Sequence, residues 1–278
     1  DARTLTLLNT QQSHGGAPCN ICISPESKEV ITANYLGGNI SIFPILDDAT
    51  LGACSNVNFS GCGIDPDRQT QPHLHAVSFT PDGRFMLAND LGTDNVHVFP
   101  LTPGASVIAN GYLNFSVSAG AGPRHLCFSP TSDIVYLLSE LSGEIFVIRY
   151  DAQDDVALPL TLVQTVKADT LDAHGSADIH VSPDGRFLYA SHRLNGDGIS
   201  IYSIADDGTL TRVGYQATGI HPRNFAITPD GKYLIAACRD SQSIEFYSIN
   251  AADGLLSSVC SYNGEPACSS QLSLWRNM

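Results

Sequence analysis

Basic residues are scarce in this chain. Its 278 residues include 14 Lys+Arg against 28 Asp+Glu, which gives a net charge of −14, and the basic residues are spread along the sequence rather than clustered. A protein that holds a nucleic acid needs a basic face, so we expect no nucleic-acid partner. A small anionic ligand is compatible with this composition if a few arginines lie close together. Their local positive charge would then outweigh the repulsion that the net negative charge of the protein exerts on an anion.

Long apolar runs and several familiar catalytic motifs are also absent. No stretch approaches the ~20 apolar residues that a membrane-spanning helix needs, and residues 1–10 lack the basic and apolar parts of a secretion signal. There is no Walker-type glycine-rich loop, no GxSxG and no HExxH. The lack of a long apolar run predicts no membrane partner. We expect a cytoplasmic location because the cysteines described next look unpaired, and any leader would belong to a preceding segment.

The cysteines do not have the spacing of a metal site. Cys19 and Cys22 form a CxxC, but no second pair or histidine follows at a zinc-like distance. Because Cys22 lies in an apolar alternation, we expect it in the core. We predict no metal and no cofactor. Two pairs could close loops in an oxidising compartment, and we expect neither disulfide: Cys54/Cys62 and Cys260/Cys268.

The chain contains one sequence motif repeated five times. Each copy has a small or polar residue, a short apolar run, Ser/Thr-Pro, a polar turn and a second apolar run. The prolines of the turns occupy positions 25, 81, 130, 183 and 229. A period of about fifty residues indicates an array of similar units, and a ring of such units places equivalent positions around one channel.

Within each repeat, alternating apolar residues predict β-strands. Two strands flank a turn such as Pro81-Asp82-Gly83, in which proline presets φ and glycine accepts a positive φ, and two further strands follow. Four antiparallel strands per unit are typical of a β-propeller blade. We predict an all-β propeller with about five complete blades and a single domain over 1–278. Residues 3–10 are expected to form an outer fourth strand and residues 268–274 an inner first strand, with an N-terminal blade region missing.

The repeat alignment predicts a site at the central channel. Charged loop tips are usually solvated and inert, but equivalent positions should carry similar residues unless each has a separate task. Six residues before the turn proline lie Cys19, His75, Arg124, Ala177 and Arg223. Nine or ten residues after it lie Tyr35, Asp90, Glu140, Arg193 and Arg239.

Five segments that contain or adjoin the repeated motif resemble a known family. The segments QPHLHAVSFTPDGRFMLANDLG, GPRHLCFSP, LLSELSG, SADIHVSPDGRFLYASHR and HPRNFAITPDGKYL are similar to the seven-bladed propeller lactonases, which include bacterial 6-phosphogluconolactonases and fungal carboxymuconate lactonising enzymes. The resemblance extends from about Ala17 to about Leu274. Family members carry roughly one further blade of residues at the N-terminus, which agrees with the missing region inferred from the strands.

The resemblance implies a set of site residues. The family's proposed histidine is matched by His75, its two arginines by Arg124 and Arg193, and its glutamate by Glu140. His75 is the better base at neutral pH because an ordinary imidazole titrates near 6.5, whereas Glu140 could orient it or hold an arginine. The arginines can bind phosphate or carboxylate and face an oxyanion. Three further residues are candidates for substrate binding: Arg223, Asp90 and His180. Six histidines are expected to be structural: His14, His97, His125, His174, His192 and His221.

The resemblance implies a metal-independent hydrolase of carbohydrate metabolism. Its expected reaction is the opening of a sugar lactone, 6-phosphogluconolactone to 6-phosphogluconate of the pentose phosphate pathway, in the central channel. One alternative keeps the same residues and lactonises a muconate-type diacid. A second is a non-catalytic propeller that binds a partner, because fold alone does not decide function.

Overall fold

The computed structural model describes residues 4–131, 133–151, 153, 158–167 and 174–264. Regular structure in these ranges consists of twenty β-strands, which pair as five four-stranded antiparallel sheets. In each sheet the strands are neighbours in chain order, as in the blade of a propeller. In the described part of the chain, no helical segment has the length and apolarity that a membrane crossing requires.

The chain divides into two compact units, 1–122 and 123–278. The first unit holds blades 1 and 2. Their strands are β1 Pro18–Ile23, β2 Glu29–Asn34, β3 Asn39–Pro44 and β4 Ser55–Asn58, then β5 Leu74–Phe79, β6 Phe85–Asp90, β7 Asn95–Pro100 and β8 Leu113–Ser116.

The second unit holds blades 3, 4 and 5. Their strands are β9 Pro123–Phe128, β10 Ile134–Ser139, β11 Glu144–Tyr150 and β12 Leu160–Lys167, then β13 Ser176–Val181, β14 Phe187–His192, β15 Gly198–Ile204 and β16 Leu210–Ala217, then β17 Pro222–Ile227, β18 Tyr233–Cys238, β19 Ser243–Ile249 and β20 Leu256–Asn263. A single domain over the whole chain stays a prediction.

The repeated turn closes through side-chain hydrogen bonds. In blade 2, the Thr80 hydroxyl donates to Asp82 Oδ1 at 2.6 Å and accepts the backbone N–H of Phe85 at 3.0 Å. Gly83 has a φ of 69°, which a residue with a Cβ rarely adopts. The predicted strand–turn–strand unit is confirmed, and the hydroxyl explains why Ser or Thr precedes each turn proline.

Apolar side chains of the strands form a core within each unit. In unit 1, one cluster includes Ile31, Ile40, Met86 and Phe99, and Cys22 packs against it as a partly buried residue, as expected. In unit 2, two clusters lie on the strands of blades 3 to 5 and include large buried residues such as Tyr136, Tyr189 and Phe225.

The first strand of every blade contains an irregularity that the sequence did not predict. The register with the second strand skips one or two residues near the start, as between Pro123 and His125 in blade 3. The residue skipped in every blade is the one six positions before the turn proline: Cys19, His75, Arg124, Ala177 and Arg223. A β-bulge re-aims a side chain, so these residues leave the regular alternation of the strand.

Two expectations at the chain ends have different outcomes. The predicted strand over residues 3–10 is wrong for the described residues 4–10, which form no strand. There the side-chain amide of Asn9 donates to Leu51 O at 2.7 Å, so a side chain rather than a backbone ladder attaches the segment. The predicted strand over 268–274, and Cys268 with it, lies outside the described residues. Cys54, Cys62 and Cys260 are free thiols.

Candidate active site

Three of the predicted site residues meet in unit 2. Arg124 Nε donates to Glu140 Oε2 at 2.9 Å, and Arg193 Nη2 lies 3.1 Å from the same oxygen. All three residues are buried, with 2% of Arg124, 7% of Glu140 and 5% of Arg193 exposed. One carboxylate oxygen therefore joins two guanidinium groups away from bulk water.

The strands of blades 3 and 4 bring these side chains together. Arg124 is the bulge residue of β9, while Glu140 directly follows β10 and Arg193 directly follows β14. Arg124 Nη1 also donates to the carbonyl of Ala177, the bulge residue of β13. The cluster thus forms where bulged first strands and the ends of second strands of neighbouring blades lie close.

Electrostatics within the cluster keep its arginines charged. Two guanidinium groups share one oxygen of the Glu140 carboxylate. Burial, followed by the charge of Arg124, lowers the pKa of Arg193 to about 10, while Glu140 raises it. Arg193 therefore stays protonated at neutral pH. Arg223, a half-buried residue at the bulge of β17, is another cation that lowers the pKa of Arg193, so a fourth predicted residue acts on the same cluster.

Arg193 is held by further acceptors. Its Nε donates to Gly175 O at 2.8 Å and its Nη2 to Ser176 O at 3.4 Å. Its Nη1 lies 3.3 Å from Nε2 of His221, which in turn places Nδ1 3.3 Å from Asp240 Oδ2. From the sequence we expect His221 to be structural, and Asp240 is not among the predicted site residues. Their position next to Arg223 and Arg239 in the repeat alignment was the available signal.

His180 belongs to a second polar cluster of unit 2, centred on Asp178. His180 Nε2 lies 3.1 Å from Asp178 Oδ2, and His125 Nδ1 lies 2.9 Å from Oδ1. Asp178 also accepts hydrogen bonds from the Asn224 side chain and the Phe225 backbone. Burial would raise the pKa of Asp178, but His180 and His125 outweigh it and hold that pKa well below its usual range.

The Asp178 cluster follows a third repeat position, one residue after the position of Arg124. His125, Asp178 and Asn224 each lie five residues before a turn proline, on β9, β13 and β17. The carboxylate therefore links the first strands of three blades. His180 is the most exposed of these residues, with 41% of its side chain exposed, whereas the side chain of Asp178 is only 5% exposed. A substrate contact of His180 stays a prediction.

His75 lies in unit 1, where it is the bulge residue of β5 and is buried. The ring of Tyr35, another predicted ring position, meets His75 edge-on with centroids 5.6 Å apart and stacks on His73 at 4.4 Å. His73 Nδ1 lies 2.8 Å from Tyr35 O. Tyr35 follows β2 of blade 1, so this aromatic packing joins blades 1 and 2 at His75, whose role as a base stays a prediction.

Asp90, also in unit 1, has a structural task in blade 2. Its Oδ1 accepts the backbone N–H groups of His73 at 2.7 Å and Gly92 at 3.0 Å. Its Oδ2 accepts from the Thr93 hydroxyl at 2.7 Å and lies 3.3 Å from His97 Nε2. These bonds tie the start of β5 to the loop after β6. A substrate contact of Asp90 stays a prediction.

The Arg124–Glu140–Arg193 cluster is suited to binding an anion. Guanidinium groups donate hydrogen bonds in a planar fork that matches carboxylate and phosphate oxygens, and they are strongest where water is excluded. The same donors could stabilise an oxyanion that develops during a reaction. Among residues in the described ranges, no group of three or more His, Cys, Asp or Glu side chains is arranged to hold a metal ion.

Comparison with known proteins shows relatives along almost the whole chain. A 6-phosphogluconolactonase of Bacillus subtilis (strain 168) is 31% identical over 255 residues, which cover 91% of this chain and 72% of that protein. The crystal structure of a candidate 6-phosphogluconolactonase from Bacteroides fragilis NCTC 9343 is 45% identical with a TM-score of 0.87, covering 95% of this chain and 75% of the other.

A third relative differs in the substrate it is named for. The structure of a Pseudomonas aeruginosa periplasmic gluconolactonase is 26% identical with a TM-score of 0.81, over 92% of this chain and 73% of that one. The model of the family described as lactonase, 7-bladed beta-propeller, matches residues 1–270. The resemblance and the fold predicted from the repeats are therefore confirmed, and the chain belongs to the seven-bladed β-propeller lactonase family.

Proposed function

We propose that this protein hydrolyses a sugar lactone that carries an anionic group, most specifically 6-phosphogluconolactone to 6-phosphogluconate. The observation that carries the proposal is the buried pairing of Arg124 and Arg193 with a single carboxylate, Glu140, at 2.9 and 3.1 Å. Buried guanidinium groups are stable only when they are paired and hydrogen-bonded, and their planar forks match the oxygens of a phosphate or carboxylate. Relatives named 6-phosphogluconolactonase support the same substrate class.

The reaction needs few components. Water adds to the lactone carbonyl, the tetrahedral oxyanion collapses, and the ring C–O bond breaks to give a carboxylate and a hydroxyl group. One water is consumed, one proton is released at neutral pH, and no electron carrier is required. The protein has to supply a base for the water, donors for the oxyanion and a holder for the phosphate.

The arginines meet two of these needs. One guanidinium group binds the phosphate and the other donates to the oxyanion, while Glu140 holds both in place. Because guanidinium groups provide the positive charge, the proposed chemistry uses no metal. His75 is the base by family resemblance, and Arg223 supplements the positive field. Asp90 and His180 are proposed as secondary contacts only, since each also has the structural bonds described above.

A second substrate is favoured by a specific comparison. Because a relative of 26% identity is named a periplasmic gluconolactonase, the unphosphorylated lactone is the competing candidate. The two substrates differ only in the tail that an arginine would bind. Lactonisation of a diacid and partner binding without catalysis are the remaining alternatives, and the same assay addresses them.

The test is lactone hydrolysis by the purified protein, followed by proton release with 6-phosphogluconolactone and gluconolactone. We expect Arg124→Lys and Arg193→Lys to lower kcat/KM for the phosphorylated lactone by about a hundredfold, because lysine cannot reproduce a planar fork. The control is Arg186→Lys, because the side chain of Arg186 is 53% exposed. Its kcat/KM should stay within about twofold of the wild-type value, as expected for a substitution at the surface.

The outcomes separate the alternatives. Full activity in both site variants would place the chemistry outside this cluster. Equal rates on both lactones would favour the unphosphorylated substrate. A wild-type protein inert towards lactones but active on a muconate-type diacid would favour the lactonising enzyme, and one inert towards all of them would favour a binding module.

A further inference from the structure

A chain of charged and polar groups links the surface of unit 2 to the arginine cluster. Arg239 binds Asp240 through two nitrogens, at 2.6 and 3.1 Å, and Asp240 is 44% exposed. Asp240 Oδ2 lies 3.3 Å from Nδ1 of the buried His221. His221 Nε2 lies 3.3 Å from Arg193 Nη1, and Arg193 continues to Glu140.

The neighbours of His221 decide which ring nitrogen carries the proton. A guanidinium group has donors and no acceptor, so Nε2 must accept the hydrogen bond from Arg193. The proton of the neutral ring is then on Nδ1, where the Asp240 carboxylate accepts it. An imidazole with this tautomer is a fixed acceptor pointed at the arginine.

The backbone holds the ring in this orientation. His221 has a φ of 63°, in the left-handed region that residues other than glycine rarely adopt. Its N–H donates to Asp197 Oδ1 at 2.7 Å, and its carbonyl accepts the N–H of Arg239 at 2.9 Å. Backbone strain of this kind persists where surrounding bonds enforce it, and it is frequent at functional sites.

The charges around His221 keep the ring neutral. Burial, followed by the cations Arg193 and Arg239, lowers its pKa to about 4, with Arg223 acting in the same direction and Asp240 opposing them. At neutral pH the ring can therefore accept from Arg193. Protonation would replace the lone pair with an N–H that points at a cation.

We propose that His221, oriented by Asp240, is a positioning residue that fixes the guanidinium group of Arg193 for substrate. The proposal rests on the function proposed above for the arginine cluster. Arg193 uses its Nε–H on Gly175 and its Nη2 hydrogens on Ser176 and Glu140. With His221 on one Nη1 hydrogen, the second Nη1 hydrogen is left in a set direction to bind the lactone or its anionic tail.

Nitrogen NMR of the histidine ring tests this without any assay of activity. We expect the Nδ1–H tautomer at pH 7 and protonation with a pKa about 2.5 units below that of an ordinary imidazole, in line with the value of about 4. The Nε2–H tautomer, or titration near 6.5, would overturn the proposal. This readout holds even if the wild-type protein hydrolyses no lactone, so the failure of the proposed function can be recognised separately.

Kinetics of three variants provide the second test. Gln places an amide oxygen near the position of Nε2, so His221→Gln should keep kcat/KM at pH 7 within about threefold of the wild type. The decline of kcat/KM that protonation of His221 causes near pH 4 in the wild type should be absent in this variant. His221→Ala should lose about tenfold to a hundredfold, as expected for a lost hydrogen bond to a charged group. The control for backbone strain is His14→Ala, because His14 is exposed and has a φ of 50°. This variant should keep the wild-type kcat/KM.

The comparison between variants decides the role. If His221→Gln and His221→Ala lose activity equally while both keep the wild-type melting temperature, His221 transfers protons and does not position Arg193. If both keep full activity, the ring has no part in the reaction. Either result would overturn the proposal.

Discussion

Replacing Glu140 with Gln removes the only carboxylate bonded to both buried arginines in the described cluster. In the native protein its Oε2 accepts from Arg124 at 2.9 Å and Arg193 at 3.1 Å. Breaking a buried ion pair by removing one partner costs about 3–5 kcal/mol. Since the amide oxygen still accepts a hydrogen bond, we expect the lower end, a loss of about 3 kcal/mol in the free energy of unfolding.

Urea unfolding at pH 7 measures this loss, and added product tests its cause. The variant holds two guanidinium groups with no carboxylate between them, so 6-phosphogluconate should bind there and restore stability. At a concentration of 100 times its Kd, a ligand that binds only the folded state adds about 2.7 kcal/mol. The control is Glu26→Gln, which removes an exposed partner of Lys28 and should leave the unfolding midpoint unchanged.

Two results would refute this reasoning. A loss below about 1 kcal/mol would mean that water already screens the arginines. A large loss that 6-phosphogluconate does not reverse would mean that the cluster is a structural ion pair and not an anion site.

Four further predictions concern stability and metal use. Asp178→Asn should cost about 3–5 kcal/mol in urea unfolding, because the buried carboxylate bonds two imidazoles; a change below 1 kcal/mol would contradict this. Burial lowers the pKa of His192 to about 3. The contribution of the neutral ring to the free energy of unfolding is therefore complete above pH 6.5 and is lost as the pH falls towards 3. The free energy of unfolding should differ less between pH 7 and pH 4 in His192→Asn than in the wild type. Gly92→Ala should sharply lower the yield of folded protein, because the new Cβ would clash with the carbonyl oxygen of Gln71. In the matched variant Gly104→Ala the Cβ meets no atom within 4 Å, so only the positive φ is unfavourable and the free energy of unfolding should fall by about 1–2 kcal/mol. Dialysis against a chelator should leave lactone hydrolysis unchanged, and loss restored by a divalent cation would show that a metal takes part.

The strand order of each blade was predictable because the signals are local. Alternating apolar residues, the Ser/Thr-Pro turn and its glycine recur within about fifty residues, so five independent copies support one assignment. The segment 4–10 was assigned wrongly because its apolar alternation stands alone, and its attachment depends on the Asn9 side chain and Leu51, which are far apart in sequence.

The candidate site was predictable only where repeat position and charge coincided. Glu140 and Arg193 share the position ten residues after the turn proline, Arg124 lies six residues before its own turn proline, and the structure joins the three. The bulge that re-aims Arg124 has no sequence signal, since a register skip depends on how two strands pair. His221 and Asp240 lay next to the aligned positions, and only the fold shows that one imidazole bridges the carboxylate and Arg193.

The central claim is that buried arginines of blades 3 and 4 hold the anionic sugar. A crystal structure of the protein with 6-phosphogluconate tests it most directly. We predict phosphate or carboxylate oxygens within about 3.2 Å of nitrogens of Arg124 or Arg193. Product bound only at another place, with the bonds from both arginines to Glu140 unchanged, would contradict the account.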